Sequence, residues 1–224
     1  MAPPGCSSRG YRPAVVVLVH GLGVGQRYFE PLAQELGSGL LRPELREAAP
    51  IAELARQLGQ HLDEPAAFVA NSMGCQIATA LAVQRPDLVT SLALIGPTVD
   101  SRTHSLVRHV FRLAADAWFE PLRLSRIIIA DYAEFGLLPL LRQARYALDD
   151  RIEERLPRID VPAVVVRGVH DTMCPPEWAQ QAASLLPQGR LVTIAGAAHA
   201  VHFSHPREVA AAIRALPGIP AARD

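Results

Sequence analysis

Short apolar runs recur along the chain, and segments with a helical repeat lie between them. Val15 to Val19, Ala66 to Ala70, Leu92 to Ile95 and Val161 to Val166 are bounded by Gly, Pro or Asn, and Leu191 to Ile194 is a weaker fifth run. A strand that is apolar on both faces is what a buried parallel sheet needs. Between the runs, Ile51, Leu54, Leu58 and Leu62 fall on one helical face. So do Trp178, Ala182 and Leu185, and Val209, Ile213 and Leu216. Pro31, Pro176 and Pro206 stand near predicted first turns, where a missing N–H costs little. Strand followed by helix, repeated, predicts an α/β protein with a mostly parallel sheet flanked by helices.

The stretch from about Pro97 to Pro157 interrupts this alternation. Leu106, Val110 and Leu113 suggest a helix there. Ile127-Ile128-Ile129 has strand-like composition, but Asp131-Tyr132 to Arg145 reads as helix. The expectation is a single domain over 1–224 with a helical insertion at 97–157 between two strands.

The chain has 224 residues, half of them hydrophobic, which fits one globular domain. Its 22 basic and 22 acidic residues cancel, which argues against nucleic-acid binding through bulk charge. Every basic residue is arginine, so lysine Schiff-base chemistry and a P-loop lysine are excluded. Cys6, Cys75 and Cys174 form no C-x-x-C pair and no disulfide framework. The first apolar run is too short to span a bilayer. These features lead us to expect a soluble cytoplasmic protein without membrane or nucleic-acid partners.

Four short motifs follow the predicted strands. The apolar run at Ala66 leads into Ala70-Asn71-Ser72-Met73-Gly74 and then a helix ended by Pro86. This is the small-x-Ser-x-Gly elbow with Ala70 in place of the first glycine. Small residues two before and two after the serine avoid clashes in a strained strand-to-helix turn. The helix N-terminus behind it offers free N–H groups. His20-Gly21-Leu22-Gly23 follows the first strand and can aim backbone N–H groups at an oxyanion. Gly21, Gly23 and Gly25 are spaced as G-x-G-x-G, unlike a dinucleotide fingerprint. Arg167-Gly168-Val169-His170-Asp171 places an acid in a turn, and Ala195-Gly196-Ala197-Ala198-His199 places a histidine after the last strand. Read singly, Asp171 is equally an ordinary turn residue and His199 a satisfied histidine.

The order Ser72, Asp171, His199, with the Gly-rich turn upstream, resembles the α/β-hydrolase superfamily from about Ala14 to Leu216. The 97–157 insertion sits where that family carries its cap. The resemblance implies a serine hydrolase with Ser72 as nucleophile, His199 as base and Asp171 as its orienting acid. It implies Leu22 and Met73 N–H groups as the oxyanion hole, a small-molecule substrate, no metal and no cofactor. Carboxylic ester cleavage is the broadest expectation. The Asn71-Ser72-Met73-Gly74 elbow is also similar to that of meta-cleavage-product hydrolases, which cut carbon–carbon bonds in anionic diketo acids. Gly-Leu-Gly-Val-Gly in the first turn and Ala200 after the histidine depart from that group. A non-catalytic binding protein on the same fold is a further alternative.

Other residues change the picture less. No room before Ala14 is expected for the family's N-terminal hairpin. Gly39 to Leu45 reads as truncated, and Pro43 suits an edge strand. Asp100 is the fallback for the acid. His199, His202 and His205 form H-x-x-H-x-x-H, but no carboxylate or cysteine joins them in sequence, and a metal is not expected. Cys75 and Cys174 read as small packing residues. Arg102, Arg108, Arg112, Arg123 and Arg126 read as a solvated basic face, or as a rim for an anionic substrate. Leu106, Val110, Phe111, Leu113, Trp118 and Phe119 are expected to pack on the core and line an apolar pocket over Ser72.

Overall fold

The computed structural model describes residues 15–98 and 118–221. In chain order the strands are β1 (Val16–Val19), β2 (Leu40–Leu41), β3 (Ala66–Asn71), β4 (Val89–Ile95), β5 (Ala163–Gly168) and β6 (Gly189–Ile194). The helices are α1 (Glu30–Leu36), α2 (Ile51–Gln60), α3 (Met73–Gln84), α4 (Leu122–Phe135), α5 (Leu137–Asp149), α6 (Ile152–Arg155), α7 (Pro176–Leu185), α8 (Val201–Ser204) and α9 (Pro206–Ile213). Among the described residues the strands form one sheet in the order β2-β1-β3-β4-β5-β6, every neighbouring pair parallel.

Strand alternation divides the core in two. Val17, Phe68, Leu92, Leu94 and Val165 point to one face, under Leu54 and Leu58 of α2, Ile77 and Leu81 of α3, and Trp178 of α7. Val16, Leu18, Val69, Ile95 and Val166 point to the other, under Leu32 of α1, Val201 of α8 and Val209 of α9. Burial of each Leu or Ile contributes about 1.5–3 kcal/mol. Trp178 is buried, and its indole N–H donates to Pro97 O at 2.8 Å. That bond ties α7 to the chain leaving β4.

The Ile127 to Ile129 run lies inside α4, within the stretch expected to be helical. Other boundaries differ from the sequence reading. The expected helix from Asp131 to Arg145 is two helices. Gly136 breaks it at φ 85°, a left-handed conformation that glycine adopts without a Cβ penalty. The helix after Ser72 starts at once, at Met73. The Gly39 to Leu45 segment is short as expected, contributing β2, a two-residue edge strand paired to β1.

Candidate active site

The sheet changes direction of winding between β1 and β3, because β1 is flanked by β2 on one side and β3 on the other. Crevices at such points, beyond the carboxyl ends of the strands, are where α/β sheets hold ligands. The loops after β1 and β3 carry Gly21-Leu22 and Ser72.

Ser72 has φ 56° and ψ −123° and is the lone non-glycine with positive φ among the described residues. Strain of this kind costs of the order of 1–3 kcal/mol and persists only where the surroundings fix it. Here the Ser72 N–H donates to Ile95 O at 2.9 Å, and Cys75 N–H donates to Ser72 O at 3.0 Å. A side chain at Gly74 would collide with the backbone oxygens of Val19 and His20. The start of α3 therefore lies directly on the end of β1. Met73 opens α3, so its N–H has no carbonyl to pair with inside the helix.

Asp171 and His199 form a buried pair. His199 Nδ1 lies 3.0 Å from Oδ1 and 3.1 Å from Oδ2 of Asp171. Oδ1 also accepts the N–H groups of Met173 (2.9 Å) and Cys174 (2.8 Å). Asp171 is thus both the turn residue of the ordinary reading and the imidazole's partner. A carboxylate so placed fixes Nδ1 as the donor, leaving Nε2 able to accept a proton. Arg167 braces the turn, donating from Nε to Cys174 O and from Nη2 to Asp171 O. His170 N–H donates to Ala197 O at 2.9 Å, which joins the acid's turn to the histidine's loop.

Ser72 and His199 line one pocket of about 110 Å³ among the described residues. Its walls are Gly21, Leu22, Val24, Tyr28, Asn71, Glu120, Leu124, Ile128, Tyr132, Met173 and Ala200. They are mostly apolar, and burial raises the Tyr132 phenol's pKa. Leu124, Ile128 and Tyr132 belong to α4. Trp118 and Phe119 do not pack on the core as the sequence suggested. Trp118 is 88% exposed, and Phe119 stacks on His170 with ring centroids 4.8 Å apart. Both stand ahead of α4, whose own apolar face does the packing. Leu106, Val110, Phe111, Leu113, Asp100, Arg102, Arg108 and Arg112 lie outside the described residues, as does Cys6. Arg123 and Arg126 are exposed.

Several residues support the site through contacts that the sequence did not signal. His20 is buried. Leu45 N–H donates to its Nε2 at 3.0 Å, and its Nδ1 lies 2.9 Å from Gly21 O. Those partners assign the proton to Nδ1, so a neutral His20 ties the Gly21-Leu22 turn to the 42–50 loop. Burial holds its pKa below the usual histidine value. Asp131 of α4 is fully buried and accepts Gly25 N–H at 2.8 Å. It also pairs with Arg27 and Arg46, which both reach Glu134. Gln143 of α5 accepts Ala49 N–H at 2.9 Å and places its Nε2 3.3 Å from Met73 Sδ. Helices α4 and α5 are therefore pinned to the loops that surround Ser72.

The three spaced histidines part company. His199 pairs with Asp171, while His202 is buried against the Tyr28 and Phe29 rings, 4.4 and 4.6 Å away. His205 Nδ1 lies 3.0 Å from Ser204 Oγ. No group of three or more metal-ligating residues occurs among the described residues. Cys75 and Cys174 are buried, and burial pushes the Cys75 thiol's pKa well up, which suits packing and not reactivity. Among the described residues no helix is long and apolar enough to cross a membrane.

The model of the alpha/beta hydrolase family matches residues 16–212. The chain belongs to the alpha/beta hydrolase family. It is a hydrolase of the serine type, and its mostly parallel sheet flanked by helices is that of the family's fold. A pimeloyl-[acyl-carrier protein] methyl ester esterase of Neisseria meningitidis is 27% identical over 89% of this chain and 91% of that protein. Among solved structures, a thermophilic esterase from Thermogutta terrifontis superposes with a TM-score of 0.70 at 23% identity. It covers 90% of the hydrolase and 88% of that chain. An esterase from Exiguobacterium antarcticum superposes at 0.76 and 17% identity, covering 90% and 91%. These two likenesses concern the fold.

Proposed function

We propose that the hydrolase cleaves a small carboxylic ester with Ser72 as nucleophile, His199 as general base and acid, and Asp171 as the residue that orients His199. The observation that carries this reading is the Asp171–His199 pair, whose imidazole lines the same pocket as a serine with strained backbone. His199 Nε2 takes the Ser72 Oγ proton as Oγ bonds to the ester carbonyl carbon. The N–H groups of Met73 and Leu22 stabilise the resulting oxyanion, each contributing about 10²–10³ in rate. Collapse breaks the bond to the alkoxy group, which leaves with the proton from His199. Water then repeats the sequence on the acyl-enzyme. No cofactor enters these steps.

Residues 97–157 act as a cap in this reading, with α4 as the pocket's roof. A small alcohol such as methanol is the leaving group that suits a pocket of about 110 Å³. The Neisseria relative's name also specifies a methyl ester. An acyl chain attached to a carrier protein is the finer version of the same proposal. The carbon–carbon reading gains no support from the described walls, which present a carboxylate and no arginine to an anionic diketo acid.

The test is turnover of methyl and p-nitrophenyl esters by single and double variants. Ser72→Ala should lower kcat by on the order of 10⁶, and Asp171→Asn by on the order of 10⁴. Adding His199→Ala to Ser72→Ala should cost little more, because the three act as a unit. A Ser72→Ala variant that keeps most of its activity contradicts the assignment.

A further inference from the structure

Leu22, whose N–H is one of the two proposed oxyanion donors, sits in a turn that is held from both sides. Upstream, Gly21 lies against the nucleophile, since a Cβ on it would stand 3.2 Å from Ser72 Cβ. The buried His20 ring ties Gly21 to Leu45. Downstream, α4 and α5 supply the contacts. Asp131 Oδ2 accepts the buried Gly25 N–H at 2.8 Å. Gly23 is pressed against both helices: a Cβ there would stand 2.6 Å from Leu140 Cδ1 and 3.1 Å from Tyr132 Cε1. Asp131 is itself held, because its Oδ1 pairs with Arg27 and Arg46, and both arginines also reach Glu134. Met73, the other donor, is fixed separately, by the close packing of α3 on the end of β1.

We propose that Asp131 is a positioning residue for the oxyanion hole: through the Gly25 N–H it fixes the turn that presents the Leu22 N–H. The cap helices then contribute to the rate of the chemical step as well as covering the pocket. The inference rests on the ester-hydrolase reading and assigns that site one further residue. Asp131 is not among the described walls of the pocket, so it acts through the backbone. The turn lies between the end of β1 at Val19 and a short helical turn that starts at Gln26, so no ladder of its own fixes it. An oxyanion donor works only when aimed at the point where negative charge develops, and a misplacement of about 1 Å costs about 10²-fold. A buried carboxylate with two arginines on it is a firm acceptor. Without it the Gly25 N–H would be left buried and unpaired, and the turn would shift to satisfy it. The Asp131 charge is matched by Arg27 and Arg46, so its effect on the site is one of geometry.

The experiment measures kcat and KM on methyl butyrate, with active sites counted by fluorophosphonate titration carried to completion. Asp131→Ala removes the acceptor. It should lower kcat per titrated site by about 10²-fold while KM changes by less than about threefold. A trifluoromethyl ketone, which Ser72 converts to a tetrahedral oxyanion adduct, should bind more weakly by a factor similar to the loss in kcat/KM. Asp131→Asn keeps an oxygen for the Gly25 N–H and should recover at least about tenfold of the lost kcat. Leu140→Ala loosens the contact with Gly23, and Leu140 is not among the described pocket walls. It should lower kcat per site by about fivefold. A role confined to stability predicts another pattern: fewer titratable sites in Asp131→Ala, with kcat per site and ketone affinity as in wild type. That pattern overturns the inference, as does an Asp131→Asn variant that loses as much kcat as Asp131→Ala. Should Asp131→Ala not fold, Leu140→Ala decides, and a wild-type kcat per site in it overturns the inference. Failure of wild type to hydrolyse methyl or p-nitrophenyl esters instead contradicts the ester-hydrolase reading. The two failures are thereby distinguished.

Discussion

Gly96 leaves no space for a methyl group beside His199. A Cβ on Gly96 would stand 2.9 Å from both Nδ1 and Cε1 of His199, and 3.0 Å from Asp171 Oδ2. Gly96 also has φ 54°, in the left-handed region that favours glycine. The end of β4 thus packs its bare backbone against the acid–histidine pair. Gly96→Ala should therefore act on both stability and turnover. The left-handed backbone alone costs roughly 1–2 kcal/mol for a residue with a Cβ. Displacing the imidazole by a few tenths of an ångström should lower kcat by about 10²-fold with a much smaller change in KM. Urea unfolding and steady-state kinetics on one ester measure the two effects.

Ser72 pays for its position in backbone strain, and that strain is separable from its chemistry. Ser72→Ala and Ser72→Gly should be equally inactive. Only glycine relaxes at φ 56° and ψ −123°. Ser72→Gly should accordingly be more stable than Ser72→Ala, by about 1 kcal/mol after the extra flexibility glycine gives the unfolded chain. Equal melting temperatures for the two variants would show that the turn is unstrained.

This division between legible and hidden residues has a physical basis. Ser72, Asp171 and His199 stand in short turns right after apolar runs, so local sequence and chain order point to them together. The sheet was legible for the same reason: Val16 to Val19 and Ala163 to Val166 are apolar at consecutive positions because both of their faces are covered. Gly96 is not legible, since nothing in Ile95-Gly96-Pro97 says that an imidazole will lie above it. Asp131 reads as an ordinary helix acid until α4 docks and delivers it to Gly25 N–H, 106 positions away. Trp118 and Phe119 misled in the opposite direction. Their hydrophobicity suggested core packing, but it is Leu124, an apolar residue of α4, that is fully buried.

Acid should destabilise the hydrolase through two buried histidines. Burial lowers the pKa of His20, and lowers that of His202 to about 3 with a further contribution from the nearby His199. An unfolded histidine titrates near 6.5. Below that pH the unfolded chain binds protons that the folded chain does not, so stability falls as the pH drops. The loss from His202 spans pH 6.5 down to about 3. It has a limiting slope of about 1.4 kcal/mol per pH unit for one proton. Between pH 6.5 and 5 the melting temperature should drop, before most carboxylates titrate. His202→Phe, which keeps a ring against Tyr28 and Phe29, should flatten that drop. An unaltered profile would place the acid sensitivity elsewhere.

Activation of Ser72 is the claim on which the functional account stands, and covalent titration tests it most directly. A fluorophosphonate phosphonylates a serine only where a base removes its proton and an oxyanion site receives the developing charge. The account predicts one equivalent of phosphonate per chain by intact mass, located on Ser72 by peptide mapping. Labelling should be absent from Ser72→Ala and slowed by orders of magnitude in His199→Ala. No labelling of the wild-type chain, or labelling of another residue that persists in Ser72→Ala, would contradict it.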